Sequence, residues 1–427
     1  MDFETNLINS IGDEQSRLLL DEINHGKEVS GLFLNTKYID KKTLLEFYPN
    51  LVENPLIPNS FYFDKKELEL GKSLLFNIGA FYIQDPSSNM VINLLDPKED
   101  EVILDMAAAP GGKTIGASLK MNDKGLIISN DISYKRSLET SKNVERMGLG
   151  NIVITCGDLE KEASNYKSRF DKIILDAPCS GSAMFRKNKE ALLDWSYQKV
   201  LDCASIQSRL LHLASIFVSN GGIISYSTCS FSFEEDEKVI LDFLSRHPDF
   251  EIIDAPIDDK SFYHHKDLPK SIRLLPHLYK GEGQFIALLR KKGEGKIIPF
   301  ESKKEFKGKS EFLQYLGNSR SNILVQNTLY SATRPIKTNL DLIRYGVEVS
   351  SLGKIEIPSF HLGKFSKINN IELNIEQTKK YLAGETFQLD YPNGYHTVSY
   401  KSINLGLVKI SSKTAKNHYP KGLRRNY

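Results

Sequence analysis

Cysteine is scarce in this chain of 427 residues. There are four, Cys156, Cys179, Cys203 and Cys229, and no two stand at C-x-x-C spacing. That spacing marks a cysteine zinc site, so no metal is expected. Nowhere does an apolar run approach the ~18 residues of a membrane span, and none is expected. The opening residues, Met1-Asp2-Phe3-Glu4-Thr5, have neither the basic region nor the apolar core of a secretion signal. The expected compartment is the cytoplasm, where disulfides are disfavoured. Each cysteine is then either a buried structural residue or a reactive thiol. Internal repeats and long low-complexity tracts are missing too.

Acidic residues are missing from the last stretch. Residues 391–427 hold seven Lys+Arg and no Asp or Glu. The whole chain carries only +2, yet from residue 293 onward there are 21 Lys+Arg against 11 Asp+Glu, a balance of +10. Residues 1–292 carry 35 against 43, or −8. A basic C-terminal part on an acidic body suggests a polyanionic partner, although a solvated surface is the plainer reading of the same charges. With 40% hydrophobic and 26% charged residues the composition is that of an ordinary globular protein, long enough for two or three domains.

Residues 4–24 place Leu7, Ile8, Ile11, Leu18, Leu19, Leu20 and Ile23 near helical spacing and predict one helix, stopped by Gly26. Short strand-like runs follow at 31–34 and 60–63. Residues 1–92 are read as a small α+β domain with no chemistry visible in it, placed to shape a substrate groove. A helix near 87–95 is expected to be capped by Ser87 or Ser88 and ended by Pro97. From 101 onward apolar runs at 102–104, 126–129, 152–154, 173–175 and 223–226 alternate with helical stretches at 114–121, 134–147, 199–219 and 234–246. Two more runs, near 250–253 and 284–289, would close a sheet. This predicts an α/β catalytic domain over 93–292, with a doubly wound, Rossmann-like sheet of about seven strands. Residues 293–310 read as a linker. Residues 311–427 read as a separate strand-rich module, with runs at 345–349, 386–391, 395–400 and 405–410.

The centre of the chain is Val102-Ile103-Leu104-Asp105-Met106-Ala107-Ala108-Ala109-Pro110-Gly111-Gly112-Lys113-Thr114. A strand ends in an acid, a loop of small residues follows, and a helix opens. Small residues let the backbone approach a ligand, and the unpaired N–H groups of the first helical turn point at it. Two readings compete. Gly112-Lys113-Thr114 is nearly the end of a phosphate-binding P-loop, which needs glycine where Ala107 stands, and Asp171 to Asp176 would pass as its second, Mg-holding strand. That reading makes the protein a nucleotide-dependent RNA-binding or assembly factor. The other is a loop for S-adenosylmethionine.

Further acids sit at strand ends, where open α/β sheets bind ligands. Asp131 lies 26 positions after Asp105 and can accept from both hydroxyls of a ribose; capping the helix after Ser133 is its alternative use. Asp158, in Thr155-Cys156-Gly157-Asp158, could reach an adenine amine or be an exposed loop acid. Asp176-Ala177-Pro178-Cys179-Ser180-Gly181 ends the fourth strand and Tyr226-Ser227-Thr228-Cys229-Ser230 the fifth. Two cysteines in small-residue turns at neighbouring strand ends would face one cleft, which points to a catalytic thiol. Cys156 and Cys203 lack that setting and read as core.

The three stretches 105–114, 176–181 and 226–230, in that order, resemble the signature motifs of the Sun/RsmF family of RNA cytosine-5 methyltransferases. The likeness covers roughly residues 70–290. Gly281-Glu282-Gly283-Gln284-Phe285 resembles that family's last motif. Met184-Phe185-Arg186-Lys187 and the tail Lys416-Asn417-His418-Tyr419-Pro420-Lys421-Gly422-Leu423-Arg424 resemble the RsmF branch, which carries a C-terminal PUA-like RNA-binding region. Ala107 stands where many relatives have cysteine, and Ser182-Ala183 replaces a commoner small-residue-plus-Gly pair. Neither departure removes a reacting group.

The resemblance implies S-adenosylmethionine held by Ala107, Ala108, Ala109, Pro110, Gly111, Gly112 and Lys113 with Asp131, Asp158 and Asp176. It implies Cys229 as nucleophile toward carbon 6 of a cytosine and Cys179 as helper when the enzyme is released. Asp176 would stand beside the base and edge the cofactor site. The substrate expected is small-subunit (16S) ribosomal RNA, with transfer RNA the alternative. A monomer is expected, with RNA supplying the partner surface.

Overall fold

The computed structural model describes residues 1–295, 297–316, 320–366 and 369–425. The chain opens with two helices, α1 (Phe3–Ile11) and α2 (Asp13–His25), where one was expected. Asp2 caps α1 by accepting from Thr5 N at 2.8 Å. Gly12 separates the two at φ 82°, a conformation that side chains resist, so the apolar periodicity continues across a break in the backbone. A four-stranded antiparallel sheet follows, in the order Val52–Glu53, Ser60–Phe63, Ser30–Leu34, Phe81–Ile83.

Helix α3 (Pro86–Leu95) leads into the large sheet. Its cap is Asp85, which accepts from Ser87 N and Ser88 N at 2.9 and 3.3 Å; the expected serine caps are corrected to this carboxylate. Pro86 at the first helical position gives up no hydrogen bond and shifts the start back one residue.

The large sheet has ten strands: β1 (Val102–Asp105), β2 (Leu126–Asp131), β3 (Ile152–Cys156), β4 (Phe170–Asp176), β5 (Val218–Thr228), β6 (Phe250–Ile253), β7 (Tyr263–His265), β8 (Leu268–Leu274), β9 (Gln284–Lys291) and β10 (Asp341–Tyr345). Its order is 7-8-9-5-4-1-2-3-10, with β6 paired to β9. Strands 3-2-1-4-5 are parallel. Helices α4 (Gly112–Lys120), α5 (Tyr134–Met147), α6 (Tyr197–Phe217) and α7 (Glu237–Arg246) link and flank them. Burial on both faces explains the uninterrupted apolar runs of β1, β2 and β3. The chain leaves β1 toward β2 on one side and returns to β4 on the other. The carboxyl ends of β1 and β4 therefore border the crevice in which such sheets bind ligands.

All seven expected strands are present. The three extra ones are the β7–β8 hairpin and β10. The last pairs antiparallel with β3, Asp341 opposite Cys156 and Tyr345 opposite Val153, so the segment after the 293–310 stretch is tied into the large sheet. Beyond it lie a four-stranded sheet over 321–358 and a five-stranded sheet over 371–417. The latter shares a core with the N-terminal sheet: Leu32, Phe61 and Phe81 pack in one cluster with Tyr381, Val398 and Leu405. Among the described residues no helix is long and apolar enough to cross a membrane.

Candidate active site

The loop after β1 is held rigid from several sides. Asp105 is buried, and its Oδ2 accepts from Thr114 Oγ1 at 2.6 Å. Its Oδ1 is buried without a hydrogen-bond partner. Burial pushes this carboxyl up to about 7, against the opposing pull of Thr114 and Lys113. Ala108 N donates to Asn130 O at 2.8 Å and Gly111 N to Ala108 O at 2.7 Å. Gly111 sits at φ 101°, where a Cβ would also fall 2.9 Å from Thr140 Cγ2; at Gly112 it would fall 2.7 Å from Gln84 Nε2. The backbone at Gly111 excludes other residues, while a side chain at Gly112 would have to displace the end of Gln84.

Asp131, at the end of β2, accepts from Ala109 N (3.2 Å) and Ser133 N (2.9 Å), and Arg136 stands 3.4 Å away. Beside it Ile132 is 70% exposed, an apolar side chain left uncovered next to a polar rim. In the sequence Ile132 is simply the residue after the acid that ends a buried strand, and its exposure comes only from the fold. Asp158 is exposed and caps a 3-10 turn through Glu160 N at 3.0 Å. It is not among the residues that line the cleft described next.

A cleft of about 380 Å³ lies at the carboxyl ends of β1, β4 and β5. Ala107, Ala108, Ala109, Pro110, Gly112 and Lys113 form one wall, Asp176 and Cys229 the floor, and Ala183, Met184, Lys187 and Gln284 the far side. Tyr82, Gln84 and Asp85, from the N-terminal unit and its junction with α3, close it. The 1–92 region thus contributes a wall of the pocket. Lys187 stands 3.5 Å from Asp85 and 3.4 Å from Glu282, and Arg186 beneath it pairs with Glu282 at 2.8 Å and with Glu22 of α2.

Cys179 and Cys229 meet in this region. Their sulfurs are 2.8 Å apart, because β4 and β5 are neighbours in register, Asp176 opposite Ser227. Both cysteines are free. The hydrogen bond with Cys229 and burial push the Cys179 thiol well up, aided by Glu235 and Asp176. Asp176 Oδ1 accepts from Ser227 Oγ (2.7 Å) and Gln284 Nε2 (2.8 Å), and Oδ2 from Lys113 Nζ (2.6 Å). Lys113 also donates to Ser88 Oγ at 2.7 Å. Cys156 is buried with its thiol directed at Ile132 O, and Cys203 sits in α6, pushed up to about 11 by burial. Neither lines the cleft.

Glu235 escaped the sequence reading because it lies in Glu234-Glu235-Asp236-Glu237, which looks like a solvated helix start. Three of those four acids are fully buried. Asp236 and Glu237 pair with the buried Arg273. Glu235 instead accepts from Ser180 N (2.9 Å), Ser230 Oγ (2.7 Å), Gln207 Nε2 (2.9 Å) and the Ser180 hydroxyl. Among the described residues no group of three His, Cys, Asp or Glu could hold a metal ion.

Residues 92–290 match the family model described as 16S rRNA methyltransferase RsmB/F, and residues 368–425 match the methyltransferase RsmF PUA domain. The ribosomal RNA small subunit methyltransferase F of Shewanella woodyi is 30% identical, over 84% of this chain and 82% of its own length. Its namesake from Shewanella piezotolerans is 27% identical over 99% and 97%. The crystal structure of a methyltransferase homolog protein from Pyrococcus horikoshii superposes with a TM-score of 0.59 at 27% identity, covering 67% of this chain and 93% of that one. The P-loop reading loses its two key groups, since Lys113 is spent on Asp176 and Ser88 and the Thr114 hydroxyl is buried against Asp105 and Ser129. With its cysteine-floored cleft and its PUA domain, the chain belongs to the RsmB/F family of 16S rRNA methyltransferases.

Proposed function

We propose that the chain transfers a methyl group from S-adenosylmethionine to carbon 5 of a cytosine in small-subunit ribosomal RNA, through a covalent adduct on Cys229. The observation that carries this reading is the pair of sulfurs 2.8 Å apart at the edge of the cleft walled by the 107–113 loop.

The residues present suit the cofactor. Asp105 lines the cleft, and its orphaned Oδ1 would take an ammonium group. The first N–H groups of α4 would take a carboxylate. Asp131 would take a ribose, and the bare Ile132 would cover an adenine face. When bound, S-adenosylmethionine supplies an electrophilic sulfonium methyl group.

Carbon 5 of cytosine is a poor nucleophile. The Cys229 sulfur gives its proton to water and bonds to carbon 6, and the electron pair of the 5,6 double bond moves to carbon 5. That carbon would form a bond to the sulfonium methyl as the donor's methyl–sulfur bond breaks and a neutral thioether leaves. Asp176, fixed by Lys113, Ser227 and Gln284, holds the base by its polar edge. In the closing step the carbon 5 proton passes to water, the double bond re-forms and the carbon–sulfur bond breaks. The Cys179 thiol, 2.8 Å away, donates its hydrogen bond to the departing sulfur. Cysteine suits both ends of this sequence, since its thiolate attacks well and also leaves well. The base must leave any stack, which costs a few kcal/mol unless it is already single-stranded. The basic residues of 391–425 would contact the phosphates.

The test is methylation of ribosomal RNA with a labelled donor, followed by nucleoside analysis. Label in 5-methylcytidine is expected; label in any other nucleoside overturns the reading.

A further inference from the structure

We propose that Glu235 is a positioning residue for the cysteine pair: its carboxylate ties the loop after β4 to the loop after β5 and so sets the distance between Cys179 and Cys229. The proposal rests on the two-cysteine reading above. One carboxylate oxygen accepts from the hydroxyls of both Ser180 and Ser230, the residues that directly follow the two cysteines. The other accepts from the Ser180 backbone N–H and from Gln207 of α6, both at 2.9 Å. Gln207 in turn donates to Pro178 O at 2.9 Å, on the other side of Cys179. The loop carrying Cys179 is thus held before and after the cysteine, and the same anchor holds the loop of Cys229. The loops also meet directly, through Ala183 N donating to Cys229 O at 2.9 Å, Phe231 N to Ser182 Oγ at 2.8 Å and a longer Ser180–Ser230 hydroxyl pair at 3.3 Å. Glu235 adds a further side chain that bonds the residue after each cysteine at once.

The anchor is also a charge. Glu235 is fully buried and, among the described residues, has no cationic partner; four neutral donors satisfy it. Around the thiols stand Asp176 from β4, Tyr226 from β5, Glu235 and Asp236 from the segment after β5, and Cys203 from α6. Burial pushes the Glu235 carboxyl itself up, against the pull of its four donors, and its charge adds to the hydrogen bond with Cys229 and to burial in opposing ionisation of Cys179.

Two substitutions separate geometry from charge. Glu235→Gln keeps the size, removes the charge and turns one acceptor into a donor facing donors. Glu235→Asp keeps the charge but is too short to hold both loops. In Glu235→Gln, kcat is expected to fall roughly 10- to 100-fold, with KM for RNA and the Kd for S-adenosylmethionine within about two-fold of wild type. The pH profile for alkylation of Cys179 by iodoacetamide, read by mass spectrometry on the protein without RNA, is expected to move to lower pH. Glu235→Asp should lose kcat while keeping that profile. Wild-type kcat and an unmoved alkylation profile in Glu235→Gln overturn the proposal. If that variant fails to fold, Ser230→Ala, which removes a single hydroxyl, is expected to lose kcat in the same direction, and full activity there overturns the proposal instead. Alkylation is read without turnover, so it stands or falls separately from the methyl-transfer chemistry.

Discussion

Lys113 Nζ lies 2.6 Å from Asp176 Oδ2, and this ion pair joins the loop after β1 to the loop after β4. It couples the wall of the cleft that would hold the cofactor to the carboxylate that would hold the base. Lys113 is nearly buried and Asp176 about one-third exposed, so the pair is only partly screened. Lys113→Met is expected to destabilise the protein by about 2 kcal/mol, less than a fully buried pair would lose because Asp176 reaches solvent. Methyl transfer should fall roughly 10- to 100-fold as Asp176 turns away from its productive orientation. Denaturant unfolding and single-turnover kinetics check the two effects. Unchanged turnover would remove the pair from the mechanism.

The two sulfurs call for opposite phenotypes. Cys229→Ala removes the atom that the proposed mechanism joins to carbon 6, and transfer should be lost while calorimetry still detects cofactor binding. Cys179→Ala leaves the proposed nucleophile but removes the thiol 2.8 Å from it. It should accumulate a protein–RNA adduct that survives denaturing electrophoresis. Normal turnover in Cys229→Ala would end the covalent reading, and absence of any adduct in Cys179→Ala would reassign that thiol.

How far these features were legible follows from the range of the interactions that make them. Strands β1 to β5 announce themselves because both faces are covered, and each run of Val, Ile and Leu is local. The hairpin Tyr263–His265 and Leu268–Leu274 is not readable, since Tyr, His, Lys and Asp interrupt any apolar pattern there. Strand β10 reads as surface because its Arg344 is charged; the residue is buried only through Glu145, Ser141 and His361, which lie elsewhere in the chain. The strand-end positions of Cys179 and Cys229 are local facts. Their clamp is not, since Glu235 stands 55 positions from Ser180. Asp158 shows the converse: its place at a strand end was legible, but its side chain turns back to cap Glu160.

Asp105 makes the protein's response to pH directional. Its carboxyl is raised to about 7 from an ordinary value near 3.8, chiefly by burial. A raised acid means that the folded state binds this proton more tightly than the unfolded chain does. Its contribution therefore favours folding at low pH and is lost as pH climbs from about 4 through 7. A cation placed on the orphaned Oδ1 would favour the ionised form. Affinity for S-adenosylmethionine should then rise with pH up to about 7, with proton release on binding below it. Titration calorimetry in buffers of different ionisation enthalpy measures that release. Asp105→Asn cannot ionise and should bind more weakly with a flat profile; a pH-dependent profile in that variant would assign the effect elsewhere.

The basic end of the chain has its own signature. Lys421 and Arg425 are exposed on the last described turn, and the Gly422 between them lies against Lys142 of α5, with a Cβ there 3.5 Å from Lys142 Cε. Asn143, the next residue on that helix, donates to Pro110 O at 3.0 Å, so the tail sits one helix away from the cleft wall. RNA that reaches the cleft along this side would meet Lys142, Lys421 and Arg425 in turn. Each phosphate contact releases condensed counterions, so the logarithm of affinity should fall linearly with the logarithm of salt. Lys421→Glu and Arg425→Glu are each expected to reduce the steepness of that line by about 1 and to weaken binding to all RNA sequences alike. Cofactor affinity should not change, because neither residue lines the cleft. Filter binding at four or five salt concentrations gives the slope. An unchanged slope in both variants would place the RNA path on another face of the molecule.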